Sequence, residues 1–195
     1  MTNQPKVRCA KVVVVGDPVC GKTSLLMVFC NKTFPSVHIP TVFENFVTDV
    51  IIDNKKVETT LWDTAGQEDF DRLRPLSYRE SDAVIIVYSV DNPTSLQNVS
   101  EKWSPEVRHF CPGIPVILVG NKTDLRAVKN DESSTVEAPY IEKIEGEALA
   151  FRIGAKAYLE CSAKTSQGVT DLFLTAVRHA LLKRKERSSR TCSLL

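Results

Sequence analysis

The residues from Gly16 to Thr23 read Gly-Asp-Pro-Val-Cys-Gly-Lys-Thr, the spacing G-x-x-x-x-G-K-T. They follow an uninterrupted valine run at 12–15 and precede a helix-like segment that begins at Ser24. A strand that ends in such a loop turns its backbone N–H groups onto a chain of phosphates, with Lys22 reaching the β and γ positions. Thr23 can offer its hydroxyl to Mg²⁺, and the helix behind it points a positive N-terminus at the anion. The candidate phosphate set is therefore Gly16, Asp17, Pro18, Val19, Cys20, Gly21, Lys22, Thr23 and Ser24. A glycine-rich turn before a helix can be only a turn; the strand on one side and the helix on the other are the context that favours a cradle.

Three more clusters follow apolar runs. Asp63-Thr64-Ala65-Gly66-Gln67 comes directly after Trp62. An acid there can hold Mg²⁺ through water, Gly66 can bring its N–H to a γ-phosphate, and Gln67 can orient an attacking water. The bland alternative is an Asp-initiated turn. Asn121-Lys122-Thr123-Asp124 lies past another strand-like run. The Asp124 carboxylate can accept from both N1–H and the exocyclic amino group of guanine, a donor pair that adenine lacks. Asn121 and the Lys122 stem can hold the loop and the base plane. Glu160-Cys161-Ser162-Ala163-Lys164 follows the last such run; there Ala163 N–H could meet the guanine O6 while Ser162 braces Asp124.

The elements that must position these clusters are legible as alternating strands and helices. Strands are expected at 12–15, 43–52, 57–62, 83–90, 115–120 and 157–161, with a hairpin turn at Asp53-Asn54 that makes one strand antiparallel. Helices are expected at 24–30, 93–110 behind an Asp91 or Asn92 cap, 140–153 closed by Gly154, and 169–185. The segment 63–79 is polar and without periodicity, the mark of a long functional loop. Segment 126–139 reads as a surface excursion. The pattern is a three-layer α/β sandwich, six strands mostly parallel with helices on both faces, whose ligands sit at the carboxyl ends of the strands.

Composition narrows the classes. At 195 residues and 43% hydrophobic the chain supports one domain, residues 1–182, followed by a flexible basic tail at 183–195. The net charge of +1 hides an asymmetry: Lys183, Arg184, Lys185, Arg187 and Arg190 make the tail basic and leave the body acidic. That argues against a nucleic-acid binder and for a terminal patch seeking an anionic surface. Six cysteines show no C-x-x-C pairing and suggest neither a zinc site nor a disulfide framework. No apolar run approaches the ~20 residues of a membrane-spanning helix, so a cytosolic monomer is expected.

Taken in order and spacing, the four clusters resemble the Rho branch of the Ras-like small GTPases. The likeness is carried by GDPVCGKT, IPTVFENF at 39–46, WDTAGQEDFDRLRPLSY at 62–78, GNKTDL at 120–125 and ECSAKT at 160–165. It implies the P-loop G-domain fold, GTP/GDP with Mg²⁺, and hydrolysis of GTP to GDP. Catalysis would fall to Gln67, Thr41 and Lys22, the metal to Thr23, Thr41 and, through water, Asp63. Phe34 would pack on the guanine edge and Lys164 would complete the base site. Val42, Phe43, Glu44, Asn45 and Phe46 would form the effector strand, and Trp62 would be read by exchange factors. Implied partners are exchange factors, GTPase-activating proteins, effectors and a dissociation inhibitor that shields a prenyl group. The ending Cys192-Ser193-Leu194-Leu195 fits C-a-a-X, with Cys192 as a geranylgeranyl acceptor. Lipid plus basic tail would give a reversible hold on the cytoplasmic face of a membrane, the plasma membrane being expected.

Three features depart from the family pattern. Pro18 stands where it has glycine, crowding the space that an activator's arginine and Gln67 need. Proline also fixes φ near −65° and deletes an N–H, although a loop that already wants that φ would merely be stiffened. His38 replaces a usual tyrosine. The insert at 126–139 contains Ser133, Ser134, Thr135, Val136 and Pro139, poor for the family's charged helix. His109, His179 and Trp103 read as helix packing or surface residues. Three functions compete: a GTPase switch with slow turnover, a GTP-loaded binding module that hardly hydrolyses, and a P-loop kinase or ATPase, which Asp124 argues against.

Overall fold

The computed structural model describes residues 8–37, 41–128 and 140–192. Its centre is a six-stranded sheet in the order β2-β3-β1-β4-β5-β6. The strands are β1 Arg8–Gly16, β2 Phe43–Ile52, β3 Lys55–Thr64, β4 Ala83–Ser89, β5 Val116–Asn121 and β6 Ala157–Glu160. Only β2 runs antiparallel to its neighbour β3; β3, β1, β4, β5 and β6 are mutually parallel. The hairpin turn falls at Asp53 and Asn54, both in the left-handed region at φ 50° and 58°, a conformation these residue types tolerate.

The valine run of β1 is fully buried because helices cover both faces of the sheet. Val12 and Val14 join Ile85 and Val87 in one core, under α1 Lys22–Asn31 and α7 Val169–Cys192. Val13 and Val15 join Val84, Ile86 and Tyr88 in the other. That second core is closed by α3 Pro93–Asn98, α4 Ser104–Phe110 and α6 Lys143–Arg152. The three-layer, mostly parallel architecture is the one the sequence implies.

Three local expectations are revised. The helix over 93–110, capped by Asn92 through its side chain and Ser95 N, is interrupted by a π turn at Val99–Trp103. Pro105 explains it: proline can donate no bond back into the preceding turn and would strike the carbonyl four residues earlier, so the turn widens. The segment 63–79 is not simply a loop. β3 continues to Thr64, a 3₁₀ turn covers Glu68–Phe70, and α2 spans Pro75–Tyr78, with Arg74, Ser77 and Tyr78 buried. The last helix extends past Lys185 to Cys192, and its Arg184 reaches back to Asp82 at 2.6 Å. A short helix, α5 Asp124–Val128, opens the excursion; the rest of the insert (129–139), His38 and the last three residues of the C-a-a-X sequence lie outside the described residues.

Candidate functional site

The loop between β1 and α1 builds its shape from three conformational choices. Pro18 and Val19 are the central residues of a turn in which Cys20 N approaches Asp17 O at 3.5 Å. Pro18 takes the first central place, where its fixed φ is suited. The strain sits one residue on: Val19 has φ 62°, a left-handed conformation unusual for a β-branched residue. Gly21 (φ 87°) then starts α1, and a Cβ there would lie 2.4 Å from Asn121 Nδ2. Two of these positions, Pro18 and Val19, are exposed at the lip of a cavity of about 330 Å³.

That cavity brings together almost every residue singled out from the sequence. Its phosphate end is lined by Pro18, Val19, Gly21, Lys22, Thr23, Ser24, Thr41, Gly66 and Gln67, its far end by Asn121, Lys122, Asp124, Ala163 and Lys164. Gly16, Cys20, Asp63 and Ser162 stand behind this lining and support it. Phe34 does not join it and is 46% exposed.

At the phosphate end the Lys22 ammonium is bound by Gly16 O at 2.8 Å and Asp17 O at 2.9 Å. Burial lowers its pKa, while Cys20, Asp63 and Asp17 oppose that shift. Thr23 Oγ1 donates to Asp63 Oδ2 at 2.6 Å and lies 2.7 Å from Thr41 Oγ1. Asp63 is fully buried, and its Oδ1 has no hydrogen-bond partner. Burial pushes its carboxyl up to about 6, against the Thr23 bond and the Lys22 charge. Two hydroxyls and a carboxylate with an orphaned oxygen, next to a phosphate cradle, form an oxygen-only donor set that fits Mg²⁺. Gly66 lies directly on the loop: a Cβ would come within 2.5 Å of Gly16 O and Pro18 N. Gly66→Ala is therefore expected to destabilise the fold by about 1–3 kcal/mol through overpacking, and an unaltered thermal midpoint would contradict this contact.

At the base end Asp124 Oδ1 accepts from Ser162 Oγ at 2.6 Å, the brace expected from the sequence. Asn121 is a cross-tie: its Nδ2 donates to Cys20 O at 2.8 Å and its Oδ1 accepts from Ala163 N at 3.3 Å. The Ala163 N–H proposed for the guanine O6 thus has a long bond to Asn121 here. Lys122, at φ 67°, pairs with Asp91 at 3.5 Å, which fixes its stem along the cavity wall. Two parallel ties join the base loops from behind, since Arg126 also forms a bidentate pair with Glu160 at 2.8 Å on each arm.

A second cavity of about 360 Å³ is framed by Val42, Phe43, Trp62, Phe70, Leu73 and Leu76, mostly apolar. Val42, Phe43, Leu73 and Leu76 are exposed, and the Trp62 indole N–H is buried without a partner. Of the five effector-strand candidates, Val42, Phe43, Glu44 and Asn45 are exposed, whereas Phe46 packs against the first core.

Some contributors were invisible in the sequence. Asp17 does not line the cavity; its carboxylate accepts from Asn98 Nδ2 and Trp103 Nε1, each at 2.7 Å. Trp103 is the buried packing residue expected, yet it also fixes the phosphate loop. Arg74 is another: 3% exposed, it holds Glu106, Asp71 and the Ala65 carbonyl. Pro105 within the helix pattern was the one available signal that the 98–103 stretch departs from α geometry. His109 and His179 lie on helix faces outside the cavity lining.

A family model described as the Ras family matches residues 11–182. That span includes β1 from its fourth residue on, both ends of the cavity and most of α7. The six-stranded sheet with one antiparallel strand and helices on both faces agrees with it. The chain belongs to the Ras family of small GTPases.

Proposed function

We propose that this small GTPase is a Rho-type switch that binds GTP and GDP, hydrolyses GTP slowly, and recruits effectors in the GTP state. One observation carries the reading. A single cavity holds the phosphate loop with Thr23, Thr41 and Asp63 at one end and the Ser162-braced Asp124 at the other. Asp124 offers its free oxygen to a base with adjacent donors, which selects guanine over adenine.

The residues divide the work. Lys22 carries a desolvated positive charge to the β and γ phosphates, and the loop amides with the α1 N-terminus hold the remaining oxygens. Mg²⁺, held by Thr23 and Thr41 with Asp63 behind, would neutralise charge on the phosphate oxygens. Gln67 and the Thr41 carbonyl would orient the attacking water in line with the leaving oxygen. Ordering of 41–46 and 63–79 around the γ-phosphate would create the effector surface, and its loss would dissolve that surface. The exposed apolar set Val42, Phe43, Leu73 and Leu76 is suited to such contacts.

A second reading, a GTP-loaded module with almost no turnover, is favoured by Pro18, which lines the cavity together with Gln67. Identifying the nucleotide released on denaturing purified protein tests the guanine site. Single-turnover hydrolysis with and without a GTPase-activating protein then separates the two readings. Adenine nucleotide would end both, and rapid activated turnover would end the second.

The Rho assignment rests on the motif segments, and with it come a role in actin and cell-shape signalling, exchange factors, activators and a dissociation inhibitor. Geranylgeranylation of Cys192 beside Lys183, Arg184 and Lys185 would bring the chain to the plasma membrane. Cys192→Ser is expected to drop membrane-bound protein in fractionated cells to background; retention at the wild-type level would refute lipidation there.

A further inference from the structure

The phosphate loop and the Gln67 loop are joined through a third element whose residues do not line the cavity. In an α-helix, residues five apart point about 140° away from each other around the axis. The π turn at Val99–Trp103, marked by the i→i+5 bond from Ser104 N to Val99 O, is wider than an α turn. It thereby brings Asn98 and Trp103 to the same side. Both donate to Asp17, one to each carboxylate oxygen, at 2.7 Å. Among the described residues, both side-chain donors to this buried acid come from this turn and the residue just before it.

The Trp103 ring also takes a cation on its face: the Arg74 guanidinium carbon lies 4.6 Å from the ring centroid. Arg74 grips Glu106, one turn further along the same helix, with Nε and Nη2 at 2.7 Å each. Its Nη1 donates to the Ala65 carbonyl at 3.1 Å. Ala65 leads into Gly66, and Gly66 rests on Asp17 and Pro18 with no room for a Cβ. The contacts form a closed ring: Asp17 to Trp103, Trp103 to Arg74, Arg74 to Ala65, and Gly66 back to the phosphate loop.

We propose that this ring couples the phosphate loop to the Gln67 loop, with Trp103 and Arg74 as positioning residues that favour the closed placement of 65–67 over the γ-phosphate. A displacement of 65–67 must break the Arg74 bond to Ala65 or pull the guanidinium from the indole. A shift of the indole in turn unpairs Asp17 beside Pro18. Preference for a triphosphate over a diphosphate is then set partly by residues that touch neither. The inference rests on the guanine-nucleotide reading above and specifies how that site is regulated.

The test is a double-mutant cycle on the full chain, read as the ratio of GDP to GTPγS dissociation constants. Trp103→Phe keeps an aromatic face and removes the N–H from Asp17. Arg74→Lys keeps the charge and loses the planar fork. Each single change is expected to lower the relative preference for GTPγS about tenfold, and the double variant is expected to go no lower than either single. Asn98→Ala, which removes the other Asp17 donor, should lower the ratio as well and stands in if Trp103→Phe does not fold. Tyr88→Phe breaks a remote buried bond to Tyr158 and should reduce thermal stability without moving the ratio, so a shift there would mean that the ratio merely follows stability. Single variants with the wild-type ratio, or effects that multiply in the double variant, would overturn the coupling while leaving the GTPase reading intact. Wild-type protein that binds no guanine nucleotide would overturn both.

Discussion

Asp124→Ala is expected to weaken GDP binding by at least about 100-fold and to erase discrimination between GDP and IDP. Asp124 lies at the base end of the cavity with one oxygen bonded to Ser162 and the other available to ligand. Guanine offers a carboxylate two donors, N1–H and the 2-amino group; hypoxanthine offers only the first. Hydrogen bonds to a charged group contribute about 1.5–3 kcal/mol each, so two of them amount to about a hundredfold or more in affinity. The substitution leaves Ser162 Oγ still accepting from Thr165 N at 3.1 Å, so the loop keeps one of its internal ties and the change reports on binding. Competition of GDP and IDP against a fluorescent guanine nucleotide measures it. A variant that still favours GDP over IDP as wild type does would remove Asp124 from base recognition.

The parts of the site that could be read from sequence are those whose geometry follows from local covalent constraints. Glycine and lysine spacing between a strand-like run and a helix-like segment points to a phosphate loop, and buried strands advertise themselves as β-branched runs. β1 and β4 show this directly, with alternate residues feeding the two cores. The strands then place 63–67, 121–124 and 160–164 at their shared carboxyl end without further information. Most residues of these clusters do line or support one cavity.

What stayed hidden depends on partners distant in sequence. Asp17 belongs to the loop, yet the donors to its side chain lie 81 and 86 residues away. Arg74 sits in a run of charged residues that has no periodicity; only Glu106, 32 residues on, gives its buried guanidinium a reason to be inside. Phe46 was grouped with the exposed start of β2, but strand alternation turns it inward. Trp103 looked like core because it is core, and its N–H acquires a second use once the π turn aims it. The sequence flagged Pro18 as the anomalous loop residue, whereas the backbone puts the unusual dihedral on Val19.

Pro18→Gly is expected to raise activator-stimulated hydrolysis by about 10³-fold or more, the scale on which an arginine supplied in trans acts. Proline at the first central position of its turn suits the loop, so backbone strain at residue 18 is not what would slow the reaction. Two causes remain. The ring occupies the cavity rim beside Gln67, and Gly66 is packed so closely on Pro18 N that little space is left for an entering guanidinium. Alternatively, the missing N–H of residue 18 deprives the transition state of a donor. Pro18→Ala separates them, because alanine restores the N–H and keeps a Cβ. If crowding is the cause, glycine recovers the stimulated rate and alanine falls well short; if the donor is the cause, both recover it. Intrinsic turnover should change far less than stimulated turnover in the crowding case, since Gln67 and Thr41 are already at the cavity wall. Single-turnover rates for the three proteins, with and without activator, decide the matter, and a Pro18→Gly variant no more responsive than wild type would show that the proline leaves the off-step untouched.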